Sequence, residues 1–333
     1  MRDVKRLSLA SQECADLKER LRSIGSPYDD MEEFLVSVFP IAARLPKEIL
    51  AELQAFRNDP WSPGILLIEG WPIDDDIPDT PINARRNVDK RSYISEGSLL
   101  SVAKILGEPL GYYDEKDGEI IQNLAPVKRE ASSTSSESSD IDLGFHTDLD
   151  FDKGNPHSYW NVTNADFIAL LCLRQDPEKQ ACTLYADARD ICKHLSRSQL
   201  ELLRQPLFEF GAAYTFTGQA GVDRIWSLPT PVIQGPEGSP EITIEMACGV
   251  RGILPEASAV LDDLAAVLKE GEFVQSACLE LGEMLLINNR KGAHARSAFK
   301  ARFDGSDRWH QRLYIRRSLW ELRSDRSRSL RLF

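Results

Sequence analysis

The sequence predicts an α+β, mainly β protein: a double-sheet jelly-roll core with flanking helices. Two observations carry that reading. Residues 8–58 place apolar side chains at helical spacing. Beyond them, short apolar runs recur in the middle and towards the end of the sequence with few strand–helix–strand alternations. That arrangement disfavours a doubly wound sheet and favours two packed sheets. There is no internal repeat.

Taken in order, Leu17, Leu21 and Ile24, then Phe34, Leu35, Val38 and Phe39, then Ile49, Leu50, Leu53 and Phe56 mark the helical part, residues 1–60. Gly64 to Gly70 encloses a short apolar run, hence a buried strand. Residues 97–107 read as a helix stopped by glycine. A strand is expected around Ile120 to Gln122. Residues 128–144 (KREASSTSSESSDIDLG) are the one low-complexity stretch. They read either as a disordered surface insertion or, from their place before His146, as an active-site lid. Further strands are expected at Phe167–Leu173, Ile242–Met246, Met284–Ile287 and Arg312–Ile315, with helices at Ser196–Arg204 and Glu256–Glu270. The Arg-rich tail, 316–333, reads as a solvated terminal helix. The whole sequence, 1–333, is expected to be one domain.

Composition excludes several classes of function. The net charge of −12 over 333 residues disfavours binding to nucleic acid or to anionic membranes. No apolar run approaches the roughly 18 residues of a membrane span, and the N-terminus has no signal-peptide core. The six cysteines show no CxxC pair, so each is expected to be a small buried apolar residue in a reducing cytoplasm. A cytoplasmic protein is the expectation. Its oligomeric state is not readable, since nothing marks an interface patch.

The chemistry sits in His146-Thr147-Asp148. Residues i and i+2 on a strand share a face, so His146 and Asp148 point the same way. His146 is the only one of the five histidines with an acid two residues on. His294 follows the apolar run from Met284 to Asn289 and supplies a third ligand from a distant strand. Two histidines and one carboxylate on one face of a metal leave positions open, the pattern of non-heme Fe(II) oxygenases. Arg308 offers a planar, permanently charged fork for a carboxylate such as that of 2-oxoglutarate.

Residues 145–148 (FHTD), 165–176 (ADFIALLCLRQD) and 281–312 (LGEMLLINNRKGAHARSAFKARFDGSDRWHQR) resemble the clavaminate synthase group of Fe(II)/2-oxoglutarate oxygenases, within the taurine dioxygenase superfamily. The resemblance covers residues 60–320 and implies a distorted double-stranded β-helix. It implies Fe(II) on His146, Asp148 and His294, with Arg308 and Thr183 on the distal carboxylate of the cosubstrate 2-oxoglutarate. It also implies Arg312 on the α-carboxylate of an amino-acid substrate and Gln122 on its amino group. Both arginines would face inward, with Leu313 and Tyr314 packing elsewhere.

The implied activity is hydroxylation of a free L-amino acid, a basic one of Lys or Arg type. One oxygen from O2 enters a C–H bond of the substrate's side group, with succinate and CO2 as coproducts. Glu245, with Asp150 and Asp152, is a candidate for the cationic end of that substrate, a solvated acid being the plain alternative. Two features depart from the group: Asp148 stands where most relatives carry Glu, and the stretch between His146 and Asp166 is longer. A retained carboxylate argues against halogenation. Two other readings stay open. One is a hydroxylase, desaturase or cyclase of a modified or carrier-bound amino acid; the other is a cupin-like binding protein without turnover.

Overall fold

A computed structural model of the protein describes residues 2–113, 115–149, 164–212, 226–320 and 330–332. Strand β1 (Lys5–Ser8) precedes three helices, α1 (Ser11–Arg22), α2 (Met31–Ala42) and α3 (Lys47–Asn58). Then come β2 (Ile65–Glu69), α4 (Ile94–Leu106), β3 (Glu108–Tyr112), β4 (Ile121–Leu124) and β5 (Leu143–His146). The middle part adds β6 (Phe167–Arg174), β7 (Thr183–Asp187), α5 (Ala188–Lys193), α6 (Arg197–Leu203) and β8 (Phe208–Phe210). Next are β9 (Ile233–Gln234), β10 (Glu241–Ile242), β11 (Val250–Gly252) and α7 (Pro255–Glu270). Last come β12 (Gln275–Ala277), β13 (Met284–Asn288), β14 (Gly292–Arg296), β15 (Trp309–Arg316) and β16 (Arg331–Leu332).

Two sheets form the core. The larger runs β1-β2-β13-β6-β15-β3-β16, with β4 also paired to β15; the smaller runs β12-β7-β14-β5. The continuous apolar runs exist because the larger sheet is buried on both faces. Ile65, Leu67, Ile168, Leu170, Leu285 and Ile287 pack towards the smaller sheet, meeting Tyr185, Ala186 and Ala293. Their alternates Leu66, Ile68, Phe167, Ala169, Leu171 and Leu286 pack against Leu17, Phe34, Val38, Leu53 and Leu99 of α1–α4. The sheets close tightly at one end, where Tyr185 lies over Gly64 and occupies the space any side group there would need. This is the distorted double-stranded β-helix expected, with helices on its outer face.

Four expectations need correction. The strand expected at Ile242–Met246 is only Glu241–Ile242, followed by a single bridge between Glu245 and His146. Beyond Trp320, the described part of the tail is not helical: Arg331 and Leu332 form a strand parallel to β3, while residues 321–329 lie outside the described residues. Cys182, just before β7, and Cys278, just after its neighbour β12, are joined in a disulfide and so are not unbridged thiols. Tyr314 does not pack away from the site, because at i+2 from Arg312 it shares its face. Among the described residues no helix is long and apolar enough to cross a membrane.

Candidate functional site

The smaller sheet brings the histidines together. His294 on β14 pairs in register with His146 at the end of β5, and the ring centroids are 4.3 Å apart. Asp148 lies just past β5, with Oδ1 3.7 Å from His146 Nε2 and Oδ2 3.7 Å from His294 Nε2. The three ligand atoms lie within 4.8 Å of one another. Asn289, in the turn after β13, fixes Asp148 through its backbone. Its Oδ1 accepts the Asp148 N–H at 2.8 Å, and its Nδ2 donates to the Asp148 carbonyl at 2.9 Å and the Ala165 carbonyl at 3.0 Å.

The donor set suits a divalent transition metal. His146 Nδ1 lies 2.8 Å from the Gly144 carbonyl, which orients the ring and leaves Nε2 for a ligand. Burial, then His146, pushes the His294 imidazole down to about 3, so the ring is neutral. Burial opposes the charge on Asp148, but Arg312 and the two imidazoles hold its carboxyl below the usual range. Its Oδ2 is buried without a hydrogen-bond partner. A buried carboxylate oxygen that lacks a hydrogen-bond partner and stands beside two imidazole nitrogens is a place for a cation.

One face of β15 and its approach supplies the rest. Arg308, His310 and Arg312, at successive i+2 positions, line the same cavity as the three ligands, together with Thr183, Ser136 and Arg296. Arg308 is buried, its guanidinium 4.8 Å from the Phe299 ring, and its Nε has no hydrogen-bond partner. Burial pushes it down to about 10. Burial, and then Arg308, keeps His310 neutral. No carboxylate pairs with Arg308 among the described residues, so the cavity presents a cation in need of an anion.

Arg312 is held by its neighbours. Its Nε donates to Gln122 Oε1 at 2.9 Å, Nη2 contacts both Gln122 and Glu115, and Nη1 lies 3.7 Å from Asp148 Oδ2. Against the cost of burial, Tyr314, Glu115 and Asp148 hold this guanidinium protonated. Gln122 pairs with Arg312 in register on β4, and its Nε2 is buried without a partner.

Glu245 is buried beside His146, with its Oε1 accepting the Cys248 N–H at 2.8 Å. Burial raises its pKa against the opposing pull of His146. It does not line the cavity that holds Arg308 and Arg312. Asp150 and Asp152 lie outside the described residues.

Residues 128–144 pack onto the site. Lys116 grips Glu137, Arg296 Nη2 donates to Ser138 Oγ at 2.7 Å, and the Phe299 N–H reaches the Ser139 carbonyl at 2.9 Å. Four residues here had no role assigned from the sequence: Glu115, Asn289, Arg296 and His310. Arg296 and His310 had a usable signal, standing two residues from His294 and Arg308 on the same strand faces. Asn289 follows the apolar run of β13, whereas Glu115 sits in a charged loop with no periodicity to mark it.

A family model described as taurine catabolism dioxygenase TauD, TfdA family matches residues 40–314. The L-lysine 3-hydroxylase of Catenulispora acidiphila is 31% identical over 281 residues, spanning 82% of this chain and 73% of that protein. The L-asparagine oxygenase of Streptomyces coelicolor is 30% identical over 287 residues, spanning 86% and 79%. A solved asparagine oxygenase, in complex with Fe(II), (2S,3S)-3-hydroxyasparagine and succinate, superposes with a TM-score of 0.84 at 26% identity over 98% of both chains.

Proposed function

The chain belongs to the taurine catabolism dioxygenase TauD, TfdA family, and from that premise we propose that it is an Fe(II)/2-oxoglutarate-dependent hydroxylase of a free L-amino acid with a basic side group. The observation that carries this reading is one cavity lined by His146, Asp148 and His294 and by the carboxylate-free Arg308. Similarity to an L-lysine 3-hydroxylase and to an L-ornithine/L-arginine 3-hydroxylase, the latter 27% identical over 342 residues, supports a basic substrate.

Iron at this site, with 2-oxoglutarate and O2, supplies the oxidation that puts one oxygen into a C–H bond of the amino acid's side group and releases succinate and CO2. The protein's own part is binding, orientation and exclusion of water. His146, Asp148 and His294 hold the metal. Arg308, with the Thr183 hydroxyl lining the same cavity, takes the distal carboxylate of 2-oxoglutarate. Arg312 takes the α-carboxylate of the amino acid. Glu115 and the spare amide of Gln122 sit at the same guanidinium. The Arg312–Glu115 ion pair thus offers the two charges that a zwitterion needs, with Glu115 receiving the α-ammonium. Glu245, buried beside His146 but outside the lining of that cavity, is the acid assigned to the cationic end of the substrate, and residues 128–144, with Ser136 lining the cavity, act as its cover.

A carrier-bound substrate has its carboxylate masked, which would leave Arg312 without a ligand; the free acid is therefore favoured. The test is anaerobic loading with Fe(II), then 2-oxoglutarate and air, against the proteinogenic amino acids plus ornithine, citrulline and homoarginine. A basic amino acid that gains one oxygen with matching succinate release is the expected result. Succinate release without any modified amino acid would instead favour a tethered or elaborated substrate.

A further inference from the structure

Arg296 is a third buried arginine on the cavity wall, and the roles above leave it unused. It sits at the end of β14, pairs in register with Thr183 on β7, and lines the cavity together with Thr183 and Arg308. Both guanidiniums lie over the same ring, Arg296 at 5.2 Å and Arg308 at 4.8 Å from the Phe299 centroid. Neither has an ion-pair partner among the described residues, and each has a buried Nε with no hydrogen-bond partner. Two like charges over one ring repel each other and are costly to bury, with Asp142 the one acid whose charge favours Arg296 and the Phe299 face a partial offset, so an anion between the two guanidiniums would be stabilised.

The remaining nitrogens of Arg296 say where that anion would be felt. Nη2 donates to Ser138 Oγ at 2.7 Å and to the Ile141 carbonyl at 3.4 Å, and Nη1 donates to the Ser297 carbonyl at 3.1 Å. One edge of the guanidinium therefore holds the 128–144 segment, while Nε and the net charge stay unmatched.

We propose that Arg296 is a second cationic partner of the 2-oxoglutarate distal carboxylate, sharing it with Arg308 and tying its arrival to the packing of Ser138 and Ile141. This rests on the function proposed above. It assigns the charge of Arg296 to cosubstrate binding and its fork to the segment, so the two can be separated by substitution.

The experiment measures the binding of 2-oxoglutarate, and of 2-oxobutyrate (which lacks the distal carboxylate), to the anaerobic Fe(II) protein by calorimetry. Wild type, Arg296→Gln, Arg296→Lys and Arg308→Gln are compared. Hydrogen exchange of residues 128–144 is followed with and without 2-oxoglutarate. The inference expects Arg296→Gln to weaken 2-oxoglutarate about tenfold or more, the scale of a lost charge-assisted contact, with 2-oxobutyrate unchanged. Arg296→Lys, which keeps the charge, should stay within about threefold of wild type in affinity but lose the protection that 2-oxoglutarate confers on the segment.

If Arg296→Gln binds 2-oxoglutarate as wild type does while Arg308→Gln does not, Arg296 is a strut and the inference is overturned. Should both ketoacids weaken equally in Arg296→Gln, the distal assignment falls. If wild type itself fails to bind 2-oxoglutarate, the proposed function fails and this inference with it. Were Arg296→Gln unable to fold, the affinity and exchange of Arg296→Lys would still decide: a weakened affinity there, or intact protection, counts against it.

Discussion

His146 and His294 stand directly opposite each other on adjacent antiparallel strands, so the metal site is framed by a sheet register and not by a loop. The third ligand does lie past its strand, and Asn289 holds it there by bonding to both the N–H and the carbonyl of Asp148. Strand pairing and one amide thus do the work of aligning the three ligands.

Asn289→Ala is expected to weaken Fe(II) binding about 10- to 100-fold, the range typical of groups that orient a ligand without touching the metal. Asp148→Asn should weaken it further. Metal titration of the purified variants checks both, and iron affinity unchanged in Asn289→Ala would refute the role of that amide.

Glu115→Gln keeps a hydrogen-bond acceptor for Arg312 but removes a charge. The expected result is a KM for the L-amino acid raised about tenfold. The same acid lacking its α-amino group should be affected little. Equal losses for the two would mean that Glu115 only positions Arg312.

In Glu245→Gln the amide oxygen can still accept the Cys248 N–H, so the local turn should persist. KM for a basic amino acid is expected to rise about tenfold or more, with kcat changed less. Steady-state rates check it, and an unaltered KM removes Glu245 from the substrate site.

Reduction of the Cys182–Cys278 bridge, which closes a loop of 96 residues, is expected to lower the unfolding free energy by about 2–4 kcal/mol. Denaturant unfolding with and without reductant, beside a Cys182→Ser/Cys278→Ser double variant, measures it. Finding two free thiols in the oxidised protein would contradict the bridge.

Much of the site was legible because strands write their faces with a period of two. Arg308 and Arg312 are separated by an even step, His146 and Asp148 likewise although Asp148 lies past the end of β5, and the apolar runs of β6 and β13 announce doubly buried strands. What was missed arises where no period exists. Glu115 reaches Arg312 from a loop whose next residues, Lys116 and Asp117, have φ of 51° and 56°. The bridged cysteines are distant in sequence and meet only through the pairing of β7 with β12. The strand expected at Ile242–Met246 is cut short because the backbone turns, with Glu245 accepting from Cys248. The even spacing of β15 was seen for its arginines, yet Tyr314 two steps further was set on the wrong side, although the same alternation places it correctly.

The extended run from Arg308 into β15 also acts as a ruler. Arg308 and Arg312 are four residues apart, about 13 Å of extended backbone, so two anions held by them stand at a distance set by backbone geometry. Loops can be exchanged without altering that spacing. A single residue inserted between the two would turn one guanidinium out towards the helices and, on the roles proposed above, end the pairing of cosubstrate with substrate. With those roles, the rim can change while the gap between the two carboxylates stays set by the backbone.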